Sequence, residues 1–300
     1  MNGALIIDKP QEFTSFDVVA VVRKICKTKK VGHTGTLDPM ATGVLPILIG
    51  NATRAADILP DSDKAYIATF KFGVTTDTQD ITGKVLSQTE FSVSREKLSE
   101  TCEKFRGRIK QIPPMYSAIK KNGVPLYDLA RQGISVEREA REIFISRLEL
   151  CDYNDQSGEG CIIVECSKGT YIRTLIADIG EELGCGAVMT SLRRSKACGF
   201  DITEAITLDE LKKLAESGDI AQKLISAQRL FESLRSVKVT EKQQIRFCNG
   251  GSLDKERLPL PKKIANGTRL RVISADGKFL GIGEYKEEKN EVAMFKLFLD

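Results

Sequence analysis

The sequence has 300 residues, a length that allows one large and one small domain. Of these residues 41% are hydrophobic and 29% are charged, a composition typical of a globular protein. A formal charge of +4 does not by itself indicate a nucleic-acid partner. The charge is unevenly distributed, because residues 229–300 carry 15 Lys and Arg against 10 Asp and Glu, which leaves a net −1 for residues 1–228. The basic excess therefore lies in the C-terminal segment.

Cysteine and hydrophobic patterns exclude several classes of protein. The eight cysteines form no CxxC pair, and the single histidine has no second histidine at zinc-finger spacing, so we expect no metal site. The cysteines fit small buried side chains in a reducing compartment, without disulfides. The N-terminal apolar run is broken by Asp8 and Lys9, and no stretch reaches the roughly 20 apolar residues that span a bilayer. The sequence therefore predicts a cytoplasmic protein without membrane contact.

The first elements in chain order are a strand, a helix and a long loop. Ala4–Ile7 is a short apolar strand, and Ser15 is the expected N-cap of a helix whose apolar residues recur at i, i+4 and i+7. This helix should end near the cationic segment Lys27–Lys30. The following stretch, GHTGTLDPMATGVLP, is too rich in glycine and proline for a helix, and it leads into the strand Leu45–Ile49. A loop held between two strands is a natural place for chemistry.

Strands outnumber helices in the middle of the chain. The expected elements are strands at Lys64–Phe72, Ile143–Tyr153 and Gly160–Ser167, and helices at Ser94–Phe105, from the cap Thr170 through Leu183, and at Leu208–Glu216 behind a capping box of Thr207 and Glu210. Residues 111–141 are basic and show no periodicity, which predicts a protruding, loop-rich insertion that serves as a binding arm.

The composition changes after Gln228, where short strands replace helices. A hairpin is expected to turn at Asp276 and Gly277. We therefore predict an α+β fold with a large domain at residues 1–229, which includes the insertion at 111–141, and a small β-barrel domain at residues 230–300. The positive charge of the small domain fits contact with a phosphate backbone, although a basic surface that only promotes solubility is an alternative.

Asp38 is the first candidate for a catalytic group. It lies in the glycine-rich loop and precedes Pro39, so its side chain should be held at a fixed angle. A carboxylate held in this way can act as a nucleophile or as a base. An aspartate that only stabilises an Asx-turn is the structural alternative, and the spacing alone leaves both interpretations open.

Five longer strings carry a family resemblance: LIIDKP, GHTGTLDPMATGVLPILIGNATR, DSDKAYIATFKFGVTTDTQD, IPPMYSAIKKNGVPLYDLARQG and CSKGTYIRTLIADIGEELGCGA. In this order, from about Gly3 to Arg194, they resemble the bacterial TruB family, the tRNA pseudouridine-55 synthases. The resemblance implies the pseudouridine synthase fold, a mixed and mainly antiparallel sheet with flanking helices and a central cleft, followed by a PUA-like RNA-binding domain. It also implies an isomerisation that needs neither a metal nor an organic cofactor.

The resemblance assigns three catalytic roles. Asp38 matches the essential carboxylate of the family. Tyr66, in the DSDKAY string, matches the tyrosine that stacks on the target base and is placed to handle the C5 proton. Arg173, in the KGTYIR string, matches the arginine that pairs with the carboxylate and would keep it ionised. Without the strings, Tyr66 reads as a packing residue of a strand and Arg173 as a surface residue of a helix.

Further residues match the substrate pocket and its supports. Tyr171 and Leu192 resemble the walls of the pocket, and His33 resembles the residue that helps to fill the space left by the flipped base. Lys9 and Pro10 match the KP motif and are expected to support the site. Three of these residues have a simpler reading: Tyr171 as a packed aromatic side chain, Leu192 as a core residue and His33 as a hydrogen-bonded loop residue.

The implied substrate is the T-arm of tRNA. A base in a folded loop must be extruded before it can react, and flat or apolar side chains such as Tyr66, Tyr171 and Leu192 suit a flipped base. The insertion would close over the arm, and its candidate phosphate contacts are Lys120, Lys121, Arg131 and Arg138.

The resemblance favours a monomer without an obligatory protein partner. Two other readings of the function remain open. One alternative is an RNA-binding or RNA-folding protein that does not need turnover. The other is a guide-RNA-dependent relative like dyskerin. The long insertion argues against the latter and for a stand-alone enzyme that finds its own substrate.

Overall fold

A computed structural model describes residues 1–299 and contains 18 strands and six α-helices. The strands are β1 (Gly3–Lys9), β2 (Val31–His33), β3 (Thr42–Ile49), β4 (Lys64–Phe72), β5 (Val74–Thr76), β6 (Val85–Gln88), β7 (Gly107–Gln111), β8 (Lys120–Lys121), β9 (Val124–Pro125), β10 (Arg141–Asn154), β11 (Glu159–Cys166), β12 (Ala187–Ala197), β13 (Phe200–Asp201), β14 (Ser236–Lys238), β15 (Leu253–Asp254), β16 (Arg269–Ile273), β17 (Phe279–Lys286) and β18 (Glu291–Leu297). The helices are α1 (Ser15–Ile25), α2 (Arg95–Lys104), α3 (Leu126–Arg131), α4 (Ile172–Glu182), α5 (Leu208–Ser217) and α6 (Glu241–Cys248). Within the described residues, every helix is too short or too polar to cross a bilayer.

The larger sheet has nine strands and is mixed. Its order is β1-β3-β12-β4-β11-β10-β7, with β2 paired to β3 and β13 paired to β12. The β12–β3 pair is parallel and the other pairs are antiparallel, which confirms the predicted mixed, mainly antiparallel sheet. Apolar side chains of α1 and α5 pack with those of β1 and β3, and α2 and α4 contribute to the core beside β4, β10 and β11. The sheet thus carries helices that cover its apolar surface.

Strand β12 was not anticipated from the sequence, although it lies in the middle of the sheet between β3 and β4. Its segment contains Arg193 and Arg194, whose charges hide the alternation that marks a strand. Arg194 is nevertheless buried, and its Nε donates a hydrogen bond of 2.7 Å to the carbonyl of Val44 on β3. A charged side chain fits this central position only because the neighbouring strand supplies its acceptor.

The N-cap of α1 lies one residue earlier in the chain than the sequence predicted. Thr14, rather than Ser15, is the N-cap: its hydroxyl accepts the amide of Asp17 at 3.1 Å, and the Asp17 carboxylate accepts the amide of Thr14 at 2.8 Å. This reciprocal capping box satisfies two free amides at once. The prediction of Ser15 as the cap is therefore wrong, and its hydroxyl is free for a contact outside the helix.

The helix α4 also begins differently. Thr170 donates its hydroxyl to the carbonyl of Ser167 at 3.0 Å, and the residue that occupies the N-cap position is Tyr171. The backbone amide of Tyr171 donates to the Gln111 side chain at 2.8 Å, and its carbonyl accepts from the same side chain at 3.1 Å. The prediction of Thr170 as the cap is wrong because a distant glutamine fixes this helix start. The predicted box of Thr207 and Glu210 before α5 is confirmed.

The predicted insertion at residues 111–141 contains little regular structure. The two-residue strands β8 and β9 form a small hairpin, and the short helix α3 follows directly. A second small hairpin, β5–β6, lies outside the two larger sheets. Both are surface additions to the nine-stranded sheet.

The C-terminal residues form a sheet of their own. Five strands pair in the order β14-β16-β17-β18-β15, and together with α6 they enclose a separate apolar cluster. The β16–β17 hairpin turns at Asp276 and Gly277 as predicted, and Gly277 adopts a positive φ of 90° that a glycine tolerates without strain. Whether this sheet closes into a barrel stays a prediction.

A cluster of aromatic rings joins the two sheets. Phe231 is fully buried, with ring centroids 5.9 Å from Phe279 and 5.3 Å from Phe298. The same apolar cluster includes Ala4 of β1 and Val44 of β3. Burial of apolar surface therefore attaches the C-terminal sheet to the larger sheet.

Truncating the central ring of this seam should destabilise the protein. We expect Phe231→Ala to lower the free energy of unfolding by about 3–5 kcal/mol, since it removes a buried phenyl ring and leaves a cavity. Urea denaturation measures the change, and Ile245→Ala, at an exposed position of α6, is the control with an expected effect below about 0.5 kcal/mol. Equal effects of the two substitutions would show that the seam contributes little.

Candidate active site

The loop that carries Asp38 is fixed on both sides of the aspartate. Before it, the Ser15 hydroxyl accepts the amide of Leu37 at 2.9 Å and donates to the carbonyl of Leu37 at 3.2 Å. After it, the Lys9 ammonium donates to the carbonyl of Pro39 at 3.2 Å. Two buried side chains from α1 and β1 thus determine where the Asp38 carboxylate points.

Lys9 is a fully buried cation. Its Nζ also donates to the carbonyls of Pro10 at 2.8 Å and Phe13 at 2.6 Å, so all three of its protons have acceptors. Burial lowers the pKa of Lys9 to about 8, and the negative charge of Asp38 opposes that decrease. The half-buried Pro10 follows this cation in the chain and supplies one of its three acceptors, while its supporting role stays a prediction.

Asp38 forms an ion pair with Arg173. The Nε of Arg173 lies 2.9 Å from Oδ2 of Asp38, while its two terminal nitrogens donate to the carbonyls of Thr78 at 2.9 Å and Tyr116 at 3.0 Å. The Arg173 side chain is 6% exposed, against 37% for Asp38. The guanidinium is therefore held from several directions, and the carboxylate that it holds remains accessible.

The surroundings of Asp38 have opposing effects on the pKa of its carboxyl. Burial raises the pKa of its carboxyl, and the Arg173 guanidinium opposes that rise. A second carboxylate, Asp80, adds to the rise; its Oδ2 lies 3.7 Å from Arg173, and its Oδ1 accepts hydrogen bonds from Thr78 and Thr82. Sequence reasoning missed Asp80, although it closes the string DSDKAYIATFKFGVTTDTQD in which Tyr66 was singled out.

Tyr66 is buried on β4, where it pairs with Arg194 on β12 and with Val164 on β11. Burial raises the pKa of its phenol to about 12, and the neighbouring Arg194 only partly opposes this. The charge of Asp38 adds a smaller part of the rise, and Tyr66 belongs to the same apolar cluster as Leu37, the residue before Asp38. At neutral pH Tyr66 is thus a neutral ring beside the carboxylate.

The two predicted pocket walls lie on separate elements. Tyr171 is half-buried, two residues before Arg173, and the Gln111 side chain holds its backbone. Leu192 lies on β12 opposite Ala68 of β4, in the same apolar cluster as Tyr66. The structure therefore brings Tyr171 to the Arg173 side of the site and Leu192 to the Tyr66 side.

His33 ends strand β2, and its ring lacks a fixed orientation from hydrogen bonds. Its Nδ1 is enclosed and has no partner among residues 1–299. The ring meets that of Phe16 edge to face, with centroids 6.0 Å apart and an interplanar angle of 86°. Burial, and then Arg194, lowers the pKa of His33, so the imidazole is neutral at pH 7.

Two arginines next to Leu192 were missed as parts of the site. Arg193 forms a bidentate pair with Asp8, with distances of 3.1 and 2.8 Å, and Arg194 donates to the carbonyl of Gly35 at 3.2 Å in the Asp38 loop. A Cβ at Gly43, whose φ is +104°, would lie 2.2 Å from the carbonyl oxygen of Arg194. The two adjacent arginines were the available signal in the sequence. They did not indicate a place in the site, because their partners are distant in the chain.

The basic residues of the insertion differ in exposure. Lys120, Lys121 and Arg131 are exposed, and the Arg131 guanidinium lies over the Tyr127 ring. Arg138, in contrast, is half-buried and donates to the carbonyl of Pro113 at 3.1 Å. Lys120 and Arg131 remain available to phosphate. Arg138 is engaged with the backbone, and so is Lys121, whose Nζ donates to the carbonyl of Glu137 at 2.9 Å.

Neither a metal-binding cluster nor a disulfide is present in the part of the chain that the structure describes. Among residues 1–299, no group of three or more His, Cys, Asp or Glu is arranged as a metal site. All eight cysteines carry free thiols. The expectation that the reaction needs no cofactor stays a prediction.

Comparison with known proteins decides the family. Residues 23–172 match the model of the TruB family pseudouridylate synthase N-terminal domain, and residues 173–237 match that of the tRNA pseudouridylate synthase B C-terminal domain. The chain belongs to the TruB family. Membership confirms the resemblance seen in the sequence and the activity that it implied, the isomerisation of uridine to pseudouridine in tRNA.

Curated TruB relatives match over most of their length. The tRNA pseudouridine synthase B of Geotalea uraniireducens is 48% identical over 83% of this chain and 80% of its own. That of Clostridium acetobutylicum is 43% identical over 96% of this chain and 97% of its own.

Known structures share the fold of this TruB chain. The crystal structure of a Cbf5–Nop10–Gar1 complex contains a chain with a TM-score of 0.77 and 26% identity, which covers 99% of this chain and 85% of that one. A structure of an H/ACA ribonucleoprotein bound to a substrate RNA gives a TM-score of 0.76 at 23% identity, over 99% and 85% of the two chains. Both support the pseudouridine synthase fold.

The buried Lys9 should give a distinct pH dependence of stability. Because its pKa is about 8 in the folded protein and 10.5 as the ordinary value, the unfolded chain binds more protons between these pH values, and stability rises with pH there. The free energy of unfolding of the native chain minus that of Lys9→Met should therefore increase by roughly 3 kcal/mol from pH 7.5 to pH 11. Denaturant titrations across this range test it, and a flat difference would contradict a depressed pKa.

Proposed function

We propose that this enzyme converts the uridine at position 55, in the T-loop of tRNA, to pseudouridine, and that Asp38 is its catalytic carboxylate. The observation that carries the proposal is the Asp38–Arg173 pair at 2.9 Å, in a loop that Ser15 and Lys9 fix from both sides. A carboxylate that is held by a buried cation and still accessible suits a reaction at a substrate carbon.

The reaction breaks the C1′–N1 bond, turns the base and joins C1′ to C5, after which the C5 proton leaves and N1 gains a proton. Asp38 either attacks the substrate covalently or removes a sugar proton to give a glycal, and both routes start from the ionised carboxylate. Burial disfavours that form, whereas Arg173 favours it. We assign to Arg173 the role of keeping Asp38 charged and oriented.

Tyr66 is proposed to stack on the flipped base. With a pKa of about 12, its phenol is neutral at working pH, so its ring offers an uncharged surface to the base. A neutral phenol accepts the C5 proton only by passing on its own, so Tyr66 would handle that proton as a relay.

The remaining residues are proposed to bind and support the substrate. Tyr171 and Leu192 form the walls around the flipped base, and His33 helps to fill the space that the base leaves. Lys9 and Pro10 support the Asp38 loop from behind. Within residues 1–299 the Nδ1 of His33 has no hydrogen bond to break, which favours movement of the ring on RNA binding.

Domain organisation and partners complete the proposal. Residues 1–229 would form the catalytic domain, with the insertion at 111–141 closing over the T-arm, and residues 230–300 a PUA-like β-barrel that contacts the stem. The basic excess of the C-terminal segment supports phosphate contact. The enzyme would act in the cytoplasm as a monomer, without an obligatory protein partner.

Release of tritium tests the reaction and its key residue together. An unmodified tRNA transcript, tritiated at uridine C5, is incubated without added cofactor with the native chain or with Asp38→Asn, which keeps the shape of the side chain but lacks its charge. We expect release from one T-loop uridine by the native chain and a loss of at least about a thousandfold in the variant.

Binding separates the enzyme from an RNA-binding protein that does not need turnover. The Asp38→Asn variant should bind the transcript with an affinity within a few-fold of the native chain, since the substitution removes no basic side chain. Tight binding by the native chain without any tritium release would refute the enzymatic proposal. Release at a uridine outside the T-loop would refute only the proposed position.

Removal of the Arg173 cation should shift the pH profile. Because Arg173 opposes the rise in the pKa of Asp38, we expect the acid limb of kcat/KM to move to higher pH in Arg173→Met. The shift should be smaller in Arg173→Lys, which keeps a cation. Initial rates of tritium release between pH 5 and 8 measure both, and an unshifted limb in the two variants would show that Arg173 does not control the charge of Asp38.

A further inference from the structure

The exposed face of α1 has an unusual composition for a solvent-facing surface. Phe16 is 70% exposed, the highest value for a large apolar side chain among residues 1–299. Ala20, Arg23, Lys24 and Lys27 are also exposed. The spacings of 4, 7 and 8 residues from Phe16 place Ala20, Arg23 and Lys24 on the same side of the helix axis, and Lys27 follows just beyond the end of α1. The face therefore runs from an aromatic ring to a group of cations, to which Lys29 and Lys30 add just beyond the helix.

The aromatic end of this face adjoins the catalytic loop. The residue before Phe16 is Ser15, which binds the backbone of Leu37 next to Asp38. The Phe16 ring itself packs edge to face against His33, the residue proposed to fill the space of the flipped base. An exposed ring at the edge of a site where a base must leave its stack is well placed to receive a neighbouring base.

The two ends of the face offer different interactions to RNA. Stacking on an aromatic ring is how proteins hold unpaired bases, and lysines at a surface neutralise phosphates. Phe16 and Lys24 are separated by about 12 Å along the helix, a span of a few nucleotides, and Lys27 lies beyond the helix end. A peptide or membrane surface would need more apolar area than one ring provides.

We infer that the exposed face of α1 is a second RNA-binding surface of this enzyme, beside the catalytic pocket. Phe16 stacks on an unpaired base next to the extruded uridine, and Lys24 and Lys27 contact phosphates of the same strand. The inference rests on the proposed function for the position of the flipped base. It adds a contact outside the pocket, so it predicts a change in affinity rather than in chemistry.

The stacking contact is tested by binding. The affinity of an unmodified tRNA transcript is measured in the Asp38→Asn background, where no turnover occurs, with and without Phe16→Ala. Loss of the stacked ring should weaken binding about tenfold. Phe16→Trp should retain the affinity, whereas Phe16→Leu, which is apolar but not planar, should not. Leu86→Ala is the matched control, because it truncates a side chain that is 65% exposed on β6.

The phosphate contacts are tested by the salt dependence of the same affinity. Lys24→Ala combined with Lys27→Ala should reduce the slope of log affinity against log salt by roughly 1.5. The control, Arg95→Ala combined with Lys97→Ala, removes the same charge from the exposed side of α2 and should leave the slope unchanged. Equal slopes in the two double variants would overturn the assignment of α1 as a phosphate-binding surface.

The outcomes separate this inference from the proposed function. Affinity of Phe16→Ala within twofold of its parent, or full recovery by Phe16→Leu, would overturn the stacking contact. The effect of Phe16→Ala on tritium release should appear mainly in KM and much less in kcat, because Phe16 contacts the RNA beside the pocket and touches no reacting atom. If the native chain releases no tritium while Phe16→Ala still loses affinity, the proposed function fails and the RNA-binding surface stands.

Discussion

The ion pair between Asp38 and Arg173 is the interaction on which the rest of the site depends. A guanidinium with 6% exposure is costly unless its donors are satisfied, and here the carbonyls of Thr78 and Tyr116 take the two terminal nitrogens. The cation is therefore fixed before it meets the carboxylate. The loop of Asp38 must in turn be held in place to reach it, and the contacts of Ser15 and Lys9 with the flanking backbone do this.

Charge in the site is concentrated in a few groups. Burial keeps Tyr66 and His33 neutral at working pH, with the pKa of the phenol raised to about 12 and that of the imidazole lowered. The same burial lowers the pKa of Lys9 and raises that of Asp38, and the cations of Arg173 and Lys9 oppose the rise in the pKa of the carboxyl. This division suits the proposed reaction, in which a neutral base enters the site and the Asp38 carboxylate reacts.

The sequence by itself determined the elements whose signals are local. The capping box of Thr207 and Glu210, the strand Lys64–Phe72 and the hairpin at Asp276 and Gly277 all appear in the structure, because their hydrogen bonds and apolar periodicity involve residues close in the chain. The family, its reaction and the choice of Asp38 also came from the sequence, since long strings of specific residues carry them. The proximity of Asp38 to Arg173 was implied by the strings, not by any local pattern.

Only the tertiary structure decided the features that depend on distant partners. Strand β12 can be recognised only when the hydrogen bond of Arg194 to the carbonyl of Val44 is known. The N-cap of α4 is Tyr171 because the Gln111 side chain binds its backbone. The contribution of Asp80 to the site likewise became visible only with Arg173 beside it. A buried polar group can be assigned only when its partner is known, because burial without that partner is unfavourable by several kcal/mol. The chain must fold before those partners meet, so no local pattern in the sequence reveals them.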